Sequence, residues 1–110
     1  MIIADLIERV RAYHPAADLA MIQRAYDFSA EVHKGQLRAS GEPYLTHPLQ
    51  VAGIIADMRL DVASVVTGLL HDTVEDTLAT LEQIEGLFGP EIAALVDGVT
   101  KIGQINFTSR

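Results

Sequence analysis

Residues 61–77 read DVASVVTGLLHDTVEDT, and this stretch predicts a buried helix with a reactive end. Asp61 is a favourable N-cap residue, and the apolar residues after it continue to Leu70. We therefore expect one helix that runs to about Asp76. A histidine and three carboxylates crowd its last turns: His71, Asp72, Glu75 and Asp76. They form either a solvated helix end or part of a metal site.

The residues before this stretch predict three more helices. Pro15 breaks the first helix, Asp18 is a candidate cap for the second, and Gly35 is placed to end that second helix. The third helix begins after a loop rich in glycine and proline, with Thr46 or His47 at its cap and Pro48 in its first turn. Long ordered loops in small domains are often functional, so the loop is itself a candidate binding element.

The residues after this stretch predict two further helices. Thr80 and Gln83 form a capping box for a short fifth helix, and Pro90 opens a sixth. The tail from residue 101 has little helical pattern, and residues 104–107 (QINF) could be extended. The whole pattern predicts an all-α bundle of about six helices.

Composition narrows the classes of function. The chain has 110 residues, 49% of them hydrophobic, which suits one compact domain. It has no cysteine, which excludes disulfides and thiolate metal sites and fits a cytoplasmic protein. A net charge of −7 disfavours binding to nucleic acid. No apolar run approaches the ~18 to 20 residues that cross a membrane, so we expect no membrane partner.

The polar cluster at the end of the fourth helix has the donor atoms of a transition-metal site. In a continuous helix, His71 would stack over Glu75 and Asp72 over Asp76. Imidazole nitrogen and carboxylate oxygen suit Mn, Fe, Zn or Ni, and further carboxylates could handle protons. From this segment alone, a surface helix end remains an alternative.

His47 strengthens the metal interpretation. A short connection near Asp61 favours antiparallel third and fourth helices, whose remote ends then meet. This geometry brings His47 close to His71 and Asp72. The alternative is that His47 is a capping or loop histidine. We expect His33 to have a structural role at the end of the second helix, and His14, which precedes Pro15, to be a surface turn residue.

Three segments of the sequence together resemble a known family: HKGQLRASGEPYLTHP (33–48), LLHDTVEDT (69–77) and LVDGVTKI (95–102). They look like the N-terminal hydrolase domain of the Rel/SpoT proteins, within the HD-domain phosphohydrolases. The resemblance covers about Asp5 to Arg110 and implies an HD-domain-like helical bundle. It implies metal-dependent hydrolysis of the 3′-pyrophosphate of guanosine tetra- and pentaphosphate, which leaves GDP or GTP and pyrophosphate in the stringent response.

Residue by residue, the resemblance assigns roles to the polar cluster. It implies that His47, His71 and Asp72 bind a metal, usually Mn²⁺ or else another divalent transition ion. It implies that Glu75 and Asp76 are the catalytic acidic pair that handles the attacking water.

The resemblance also assigns nucleotide contacts to the loop. It implies that Arg38 packs on the guanine and that Ser40 is a neighbouring contact. Composition alone would make Arg38 a solvated loop residue. The family commonly has lysine where this chain has Ala39, which weakens phosphate or base contacts or alters specificity.

The family's fourth metal ligand is an aspartate in a later helix, beyond Arg110. The resemblance thus implies that residues 1–110 are the N-terminal part of an HD-type domain, an incomplete fragment with weak or no activity. No synthetase domain is present, and apolar faces left uncovered could drive self-association. Two alternatives remain: an HD phosphohydrolase for another nucleotide, and a non-catalytic helical regulatory module.

Overall fold

The computed structural model describes residues 1–36 and 45–108, with side chains described up to Ile102. Every regular element in these residues is helical, which confirms the prediction of an all-α bundle. Six of the helices have eight residues or more, and α5 is a single turn. The helices are α1 (Ile3–Tyr13), α2 (Leu19–Val32), α3 (Thr46–Asp57), α4 (Val62–Leu70), α5 (Thr73–Asp76), α6 (Leu81–Phe88) and α7 (Pro90–Thr108).

Side-chain caps begin the helices where the sequence placed them. Asp18 accepts a hydrogen bond from the backbone of Met21 at 3.1 Å at the start of α2. Asp61 starts α4 in the same way. Thr80 and Gln83 exchange two hydrogen bonds ahead of α6, as a capping box does. The start of α3 differs from the prediction, because it has no side-chain cap and begins at Thr46 itself.

The helix α4 forms the centre of the bundle. It packs against α2, α3 and α7, whereas α1 packs on α2 and α3, and α6 packs on α7. Its residues from Val65 to Leu70 are all buried. This burial explains why α4 is apolar around most of its circumference. The core around it is built from Leu6, Val10, Ile22, Ala25, Leu49, Ala52, Ala56, Ile84, Phe88, Ile92, Ala93 and Val96.

The antiparallel helices α3 and α4 approach closely at Gly68. A Cβ atom at this position would lie 2.8 Å from Cδ1 of Ile55 and 3.3 Å from Cα of Ala52. Only glycine leaves room for that approach. The tight turn between the two helices includes Arg59 at φ 57°, in the left-handed region. This close contact, which we call the α3–α4 seam, sets the distance between the helix ends that carry the polar cluster.

The prediction of one helix from Asp61 to about Asp76 is wrong. The helix α4 ends at Leu70, and a turn at residues 71–72 separates it from α5. The Thr73 hydroxyl donates to the carbonyl of Leu70 at 2.9 Å, and Nδ1 of His71 lies 2.7 Å from the carbonyl oxygen of Gly68. These side chains engage carbonyls at the end of α4 and so compete with a continued helix. The continuous stacking expected from the sequence is therefore absent from the described residues.

The interpretation of the C-terminal tail as weakly helical or extended is also wrong. The helix α7 begins at Pro90, as predicted, but continues to Thr108. Packing of its buried face, which includes Ile92 and Val96, outweighs the weak helical pattern of the tail. Among the described residues, no helix combines the length and the apolar character that a membrane crossing requires.

Candidate metal centre

The structure brings together the three residues that were predicted as metal ligands. One nitrogen each of His47 and His71 and one carboxylate oxygen of Asp72 all lie within 4.8 Å of one another. The two imidazole rings meet edge to face, with centroids 5.3 Å apart. His47 comes from the first turn of α3, whereas His71 and Asp72 come from the turn after α4. The antiparallel arrangement of α3 and α4 thus joins residues far apart in the sequence.

A hydrogen bond to the backbone fixes the orientation of His71, a candidate metal ligand. Its Nδ1 lies 2.7 Å from the carbonyl oxygen of Gly68. A carbonyl oxygen only accepts, so Nδ1 carries the proton and Nε2 keeps its lone pair. This Nε2 lies 3.9 Å from Oδ2 of Asp72. Metal-binding histidines are commonly held by such a bond from their other nitrogen.

The environment of Asp72 fits a bound cation. Asp72 is only 6% exposed. No described residue donates a hydrogen bond to either of its carboxylate oxygens. A buried carboxylate without such bonds is costly unless a positive charge compensates it. A divalent ion held by Asp72, His71 and His47 would supply that charge.

Glu75 and Asp76 lie on the single turn α5 that directly follows the turn with His71 and Asp72. Both are exposed, in contrast to Asp72. The backbone N–H of Asp76 donates to the carbonyl oxygen of Asp72 at 2.9 Å, which fixes α5 against the ligand pair. The side chain of Gln36 donates to the carbonyl of Asp76 at 3.3 Å. A cleft of about 580 Å³ opens beside Asp76, lined by Val32, Gln36, Thr77, Leu78, Ala79 and Gln83.

The predicted nucleotide contacts lie outside the described residues. Arg38 and Ser40, together with Ala39, belong to residues 37–44. Gln36, directly before that stretch, and His47, shortly after it, both lie in the neighbourhood of the candidate site.

His33 lies beside the candidate site, a position that the sequence did not reveal. It was expected to have a structural role, and it is indeed buried at the end of α2. Its Nε2, however, lies 3.7 Å from Oδ1 of Asp72. The available signal was a histidine at a helix end, immediately before the loop that the sequence marks as a candidate binding element. Its partner could not be read from the sequence, because Asp72 lies on a different helix pair. His14, by contrast, is exposed after α1, as expected.

The shifted acid pKa values lie at the opposite end of the α3–α4 pair. Hydrogen bonds from Ser64 hold the pKa of Asp61 below its ordinary value. Burial, and then the negative charge of Asp61, raise the pKa of Tyr13. These groups stabilise the turn remote from the metal cluster.

The chain matches the HD domain family over residues 25–110. A GTP pyrophosphokinase of Myxococcus xanthus is 63% identical over 97 residues, which cover 88% of this chain and 13% of the relative. The bifunctional (p)ppGpp synthase/hydrolase SpoT of Escherichia coli strain K12 is 42% identical over 106 residues, which cover 96% of this chain and 15% of the relative. The chain therefore spans only about one seventh of these relatives.

A solved structure gives the same relationship in three dimensions. It is a metazoan ortholog of SpoT that hydrolyzes ppGpp and plays a role in starvation responses. It matches with a TM-score of 0.69 and 35% identity, over 74% of this chain and 48% of that chain. Membership of the HD domain family implies divalent metal binding, for which His47, His71 and Asp72 form a candidate site. The chain belongs to the HD domain family, and over most of its length it is similar to Rel/SpoT proteins.

Proposed function

We propose that residues 1–110 are the metal-holding N-terminal part of a domain that hydrolyses guanosine tetra- and pentaphosphate. The reaction removes the 3′-pyrophosphate and leaves GDP or GTP. The observation that carries the proposal is the meeting of His47, His71 and the buried Asp72 within 4.8 Å. Its support from related proteins is the SpoT ortholog of similar structure that hydrolyzes ppGpp.

Mn²⁺ is the proposed metal, with another divalent transition ion as the alternative. Two imidazole nitrogens and one carboxylate oxygen suit such ions, whereas Mg²⁺ and Ca²⁺ prefer sites built from oxygen ligands alone. When bound, the ion supplies polarisation of a phosphoryl oxygen and acidification of water. Asp72 contributes its buried charge, and the bond to Gly68 keeps His71 in the tautomer that can bind.

The proposed proton transfers belong to the exposed acids of α5. Glu75 and Asp76 lie one turn beyond Asp72, where solvent water reaches them. We assign them to accept the proton of the attacking water. The oxygen of that water leaves on pyrophosphate, and the 3′-oxygen of the ribose gains a proton. Carboxylates are among the side chains that act as general bases in proteins.

The proposed nucleotide contacts are Arg38, which would stack on the guanine, and Ser40. A guanidinium is suited to this role because its plane stacks on aromatic faces while its charge pairs with phosphate. Ala39 carries no charge to assist it. The bound metal ion and Arg38 would then attract the anionic substrate, although the net charge of the chain is −7.

Calorimetry with Mn²⁺ tests the metal site. We expect the wild-type chain to bind one ion weakly, because the resemblance places a fourth ligand outside these residues. His71→Ala should abolish the binding. His14→Ala is the matched control, since it removes an exposed histidine remote from the cluster, and it should bind as the wild type does. Equal binding by the wild type and His71→Ala would refute the site.

Substrate choice is tested by pyrophosphate release from guanosine tetraphosphate, set against deoxynucleotides and cyclic nucleotides. The 110-residue chain should turn over little, whereas a longer protein that contains it should prefer guanosine tetraphosphate. Preference for a deoxynucleotide would instead favour the alternative of a different HD phosphohydrolase. Metal binding without turnover in the longer protein would favour a regulatory module.

We also propose self-association through α7. Leu95, Val99 and Ile102 recur at intervals of four and three residues, and each is at least 40% exposed. Such a stripe faces one side of a helix. Sedimentation at high concentration tests it, and a monomer throughout would contradict it.

A further inference from the structure

The helix α5 is a single turn, and it carries both acids to which we assign the proton transfer. A single turn of helix is unstable alone in water, because its nucleation costs more free energy than its few hydrogen bonds return. Its last carbonyl groups also have no partner within the helix. The positions of Glu75 and Asp76 therefore depend on the contacts that hold this turn.

Local contacts close α5 on itself and hold one of its sides. The backbone N–H of Asp76 donates to the carbonyl of Asp72 at 2.9 Å. The backbone N–H and the hydroxyl of Thr77 both donate to the carbonyl of Thr73, at 3.1 and 2.6 Å. The side chain of Val74 packs against the hydrophobic core. These contacts fix the start and the inner side of α5, and the carbonyl of its last residue needs a donor from elsewhere.

Gln36 supplies that donor from the end of α2. Its Nε2 donates to the carbonyl oxygen of Asp76 at 3.3 Å, across 40 positions of sequence. A carbonyl oxygen only accepts, so the amide nitrogen of Gln36, and not its amide oxygen, faces Asp76. The bond satisfies one of the carbonyls that the end of α5 leaves open. The C-terminal end of α5 is thus tied to a second helix.

The end of α2 fixes the backbone from which Gln36 reaches α5. Gly35 has φ 83°, in the left-handed region that glycine enters without strain. The backbone N–H of Gln36 then donates to the carbonyl of His33 at 2.9 Å. The helix α2 itself packs against α4, at the centre of the bundle. Gln36 therefore connects α5 to the most firmly packed part of the fold.

Gln36 also adjoins the proposed nucleotide contacts. Residues 37–44, which include Arg38 and Ser40, begin directly after it in the sequence. Gln36 and Asp76 both line the cleft of about 580 Å³ described above. One side chain thus adjoins the proposed nucleotide contacts in sequence and one of the proposed acids in space.

We propose that Gln36 is a positioning residue, which caps the last carbonyl of α5 and so holds Glu75 and Asp76 in place for the proton transfer. The inference rests on the proposed function and deepens it. Gln36 acts through the backbone of α5, and not through a contact of its own with the metal ion.

Amide hydrogen exchange of the 110-residue chain, followed by NMR, tests this role without any need for catalysis. The N–H groups of Asp76 and Thr77 report the opening of α5, because both donate within this turn. Gln36→Met keeps the length of the side chain but cannot donate. It should speed the exchange of these two amides by about 2- to 10-fold, since one hydrogen bond is lost. Gln36→Glu, which has the same shape but no amide N–H, should give the same increase.

Gln23→Met is the matched control. Gln23 is also half-buried and donates one side-chain hydrogen bond, to Asp27 at 3.0 Å within α2. Its replacement should leave the exchange of both α5 amides unchanged. The N–H of Gly89, which donates to the carbonyl of Glu85 at 2.8 Å, reports a general loss of stability and should exchange at the wild-type rate in every variant. Wild-type exchange of the α5 amides in Gln36→Met or Gln36→Glu, or an equal increase at Gly89, would overturn the role of Gln36.

Steady-state kinetics of a longer protein that contains this chain test the consequence for the reaction, with guanosine tetraphosphate as substrate. Gln36→Met should lower kcat by about 10-fold or more and leave KM and the Mn²⁺ affinity unchanged, because a displaced proton-transfer group slows the chemical step without weakening binding. Gln23→Met should keep the wild-type kcat. A higher KM with unchanged kcat would overturn the role, since it would assign Gln36 to nucleotide binding. If the wild-type longer protein releases no pyrophosphate, the proposed function fails, while hydrogen exchange still decides whether Gln36 holds α5.

Discussion

Replacement of Asp72 by asparagine should change the stability of the chain in opposite directions with and without metal. Asp72 is 6% exposed and receives no hydrogen bond from a described residue. The metal-free fold therefore carries the cost of a buried carboxylate. An unsatisfied buried polar group costs about 1 to 3 kcal/mol, and more when it is charged. Asparagine keeps the shape and part of that cost but removes the charge.

We therefore expect Asp72→Asn to be more stable than the wild type in EDTA. The gain should be about 1 to 2 kcal/mol, or about 4 to 8 °C in Tm for a domain of this size. With Mn²⁺ the order should reverse. A ligand at one hundred times its Kd stabilises the folded state by about 2.7 kcal/mol, and the variant lacks one of three ligands. Residues in functional sites often lower the stability of a protein while they allow it to bind its ligand.

Urea unfolding followed by circular dichroism measures both conditions. Asp57→Asn is the matched control, because it makes the same chemical change at an exposed carboxylate paired with Arg9. It should change the free energy of unfolding by less than about 1 kcal/mol, equally in EDTA and in Mn²⁺. The reasoning is refuted if Asp72→Asn is less stable than the wild type in EDTA. Equal stabilisation of both proteins by Mn²⁺ would refute it as well.

Four further variants test the helices and turns around the candidate site by urea unfolding. Gly68→Ala should lower the free energy of unfolding by about 1 to 3 kcal/mol, because the added methyl group overpacks the α3–α4 seam. Gly86→Ala, where the added methyl group has open space, should raise the free energy of unfolding by up to about 1 kcal/mol. A change of the same sign in both variants would contradict this reasoning. Asp61→Ala should lose about 1 kcal/mol at neutral pH through the lost cap. The pKa of Asp61 is lowered in the folded state, so its carboxylate stabilises the fold at pH values above the ordinary pKa of 3.8. The difference in free energy of unfolding between Asp61→Ala and the wild type should therefore shrink as the pH falls through the folded-state pKa. A difference that does not depend on pH would count against this role of Asp61. Tyr13→Phe should lower the free energy of unfolding by about 1 kcal/mol, because it removes the hydroxyl that donates to the carbonyl of Leu60 at 2.6 Å. An unchanged unfolding midpoint would show that this hydrogen bond does not stabilise the fold.

Local features of this fold could be predicted because their causes lie within a few residues. The caps at Asp18 and Asp61 need only a side chain and the next turn of backbone. The meeting of His47 and His71 could also be inferred, since a short connection between two helices brings their remote ends together.

Other features depend on contacts that no local pattern encodes. The end of α4 at Leu70 arises where Thr73 and His71 engage helix carbonyls, in a stretch whose apolar pattern predicts a longer helix. The contact of His33 with Asp72 needs the packing of α2 against α4, which joins residues 39 positions apart. The pattern of burial, not the residue types, distinguishes Asp72 from the exposed acids that follow it.

The close contact at Gly68 influences the geometry of the proposed metal centre, although Gly68 is not one of its proposed ligands. Its carbonyl engages His71, and its missing Cβ sets how near α3, and with it His47, can come. A single added methyl group there would widen the gap between donors without replacing any of them, and a wider gap suits a larger ionic radius. We expect a laboratory selection for altered ion preference to find its first solutions along this helix contact, with the donor residues left intact.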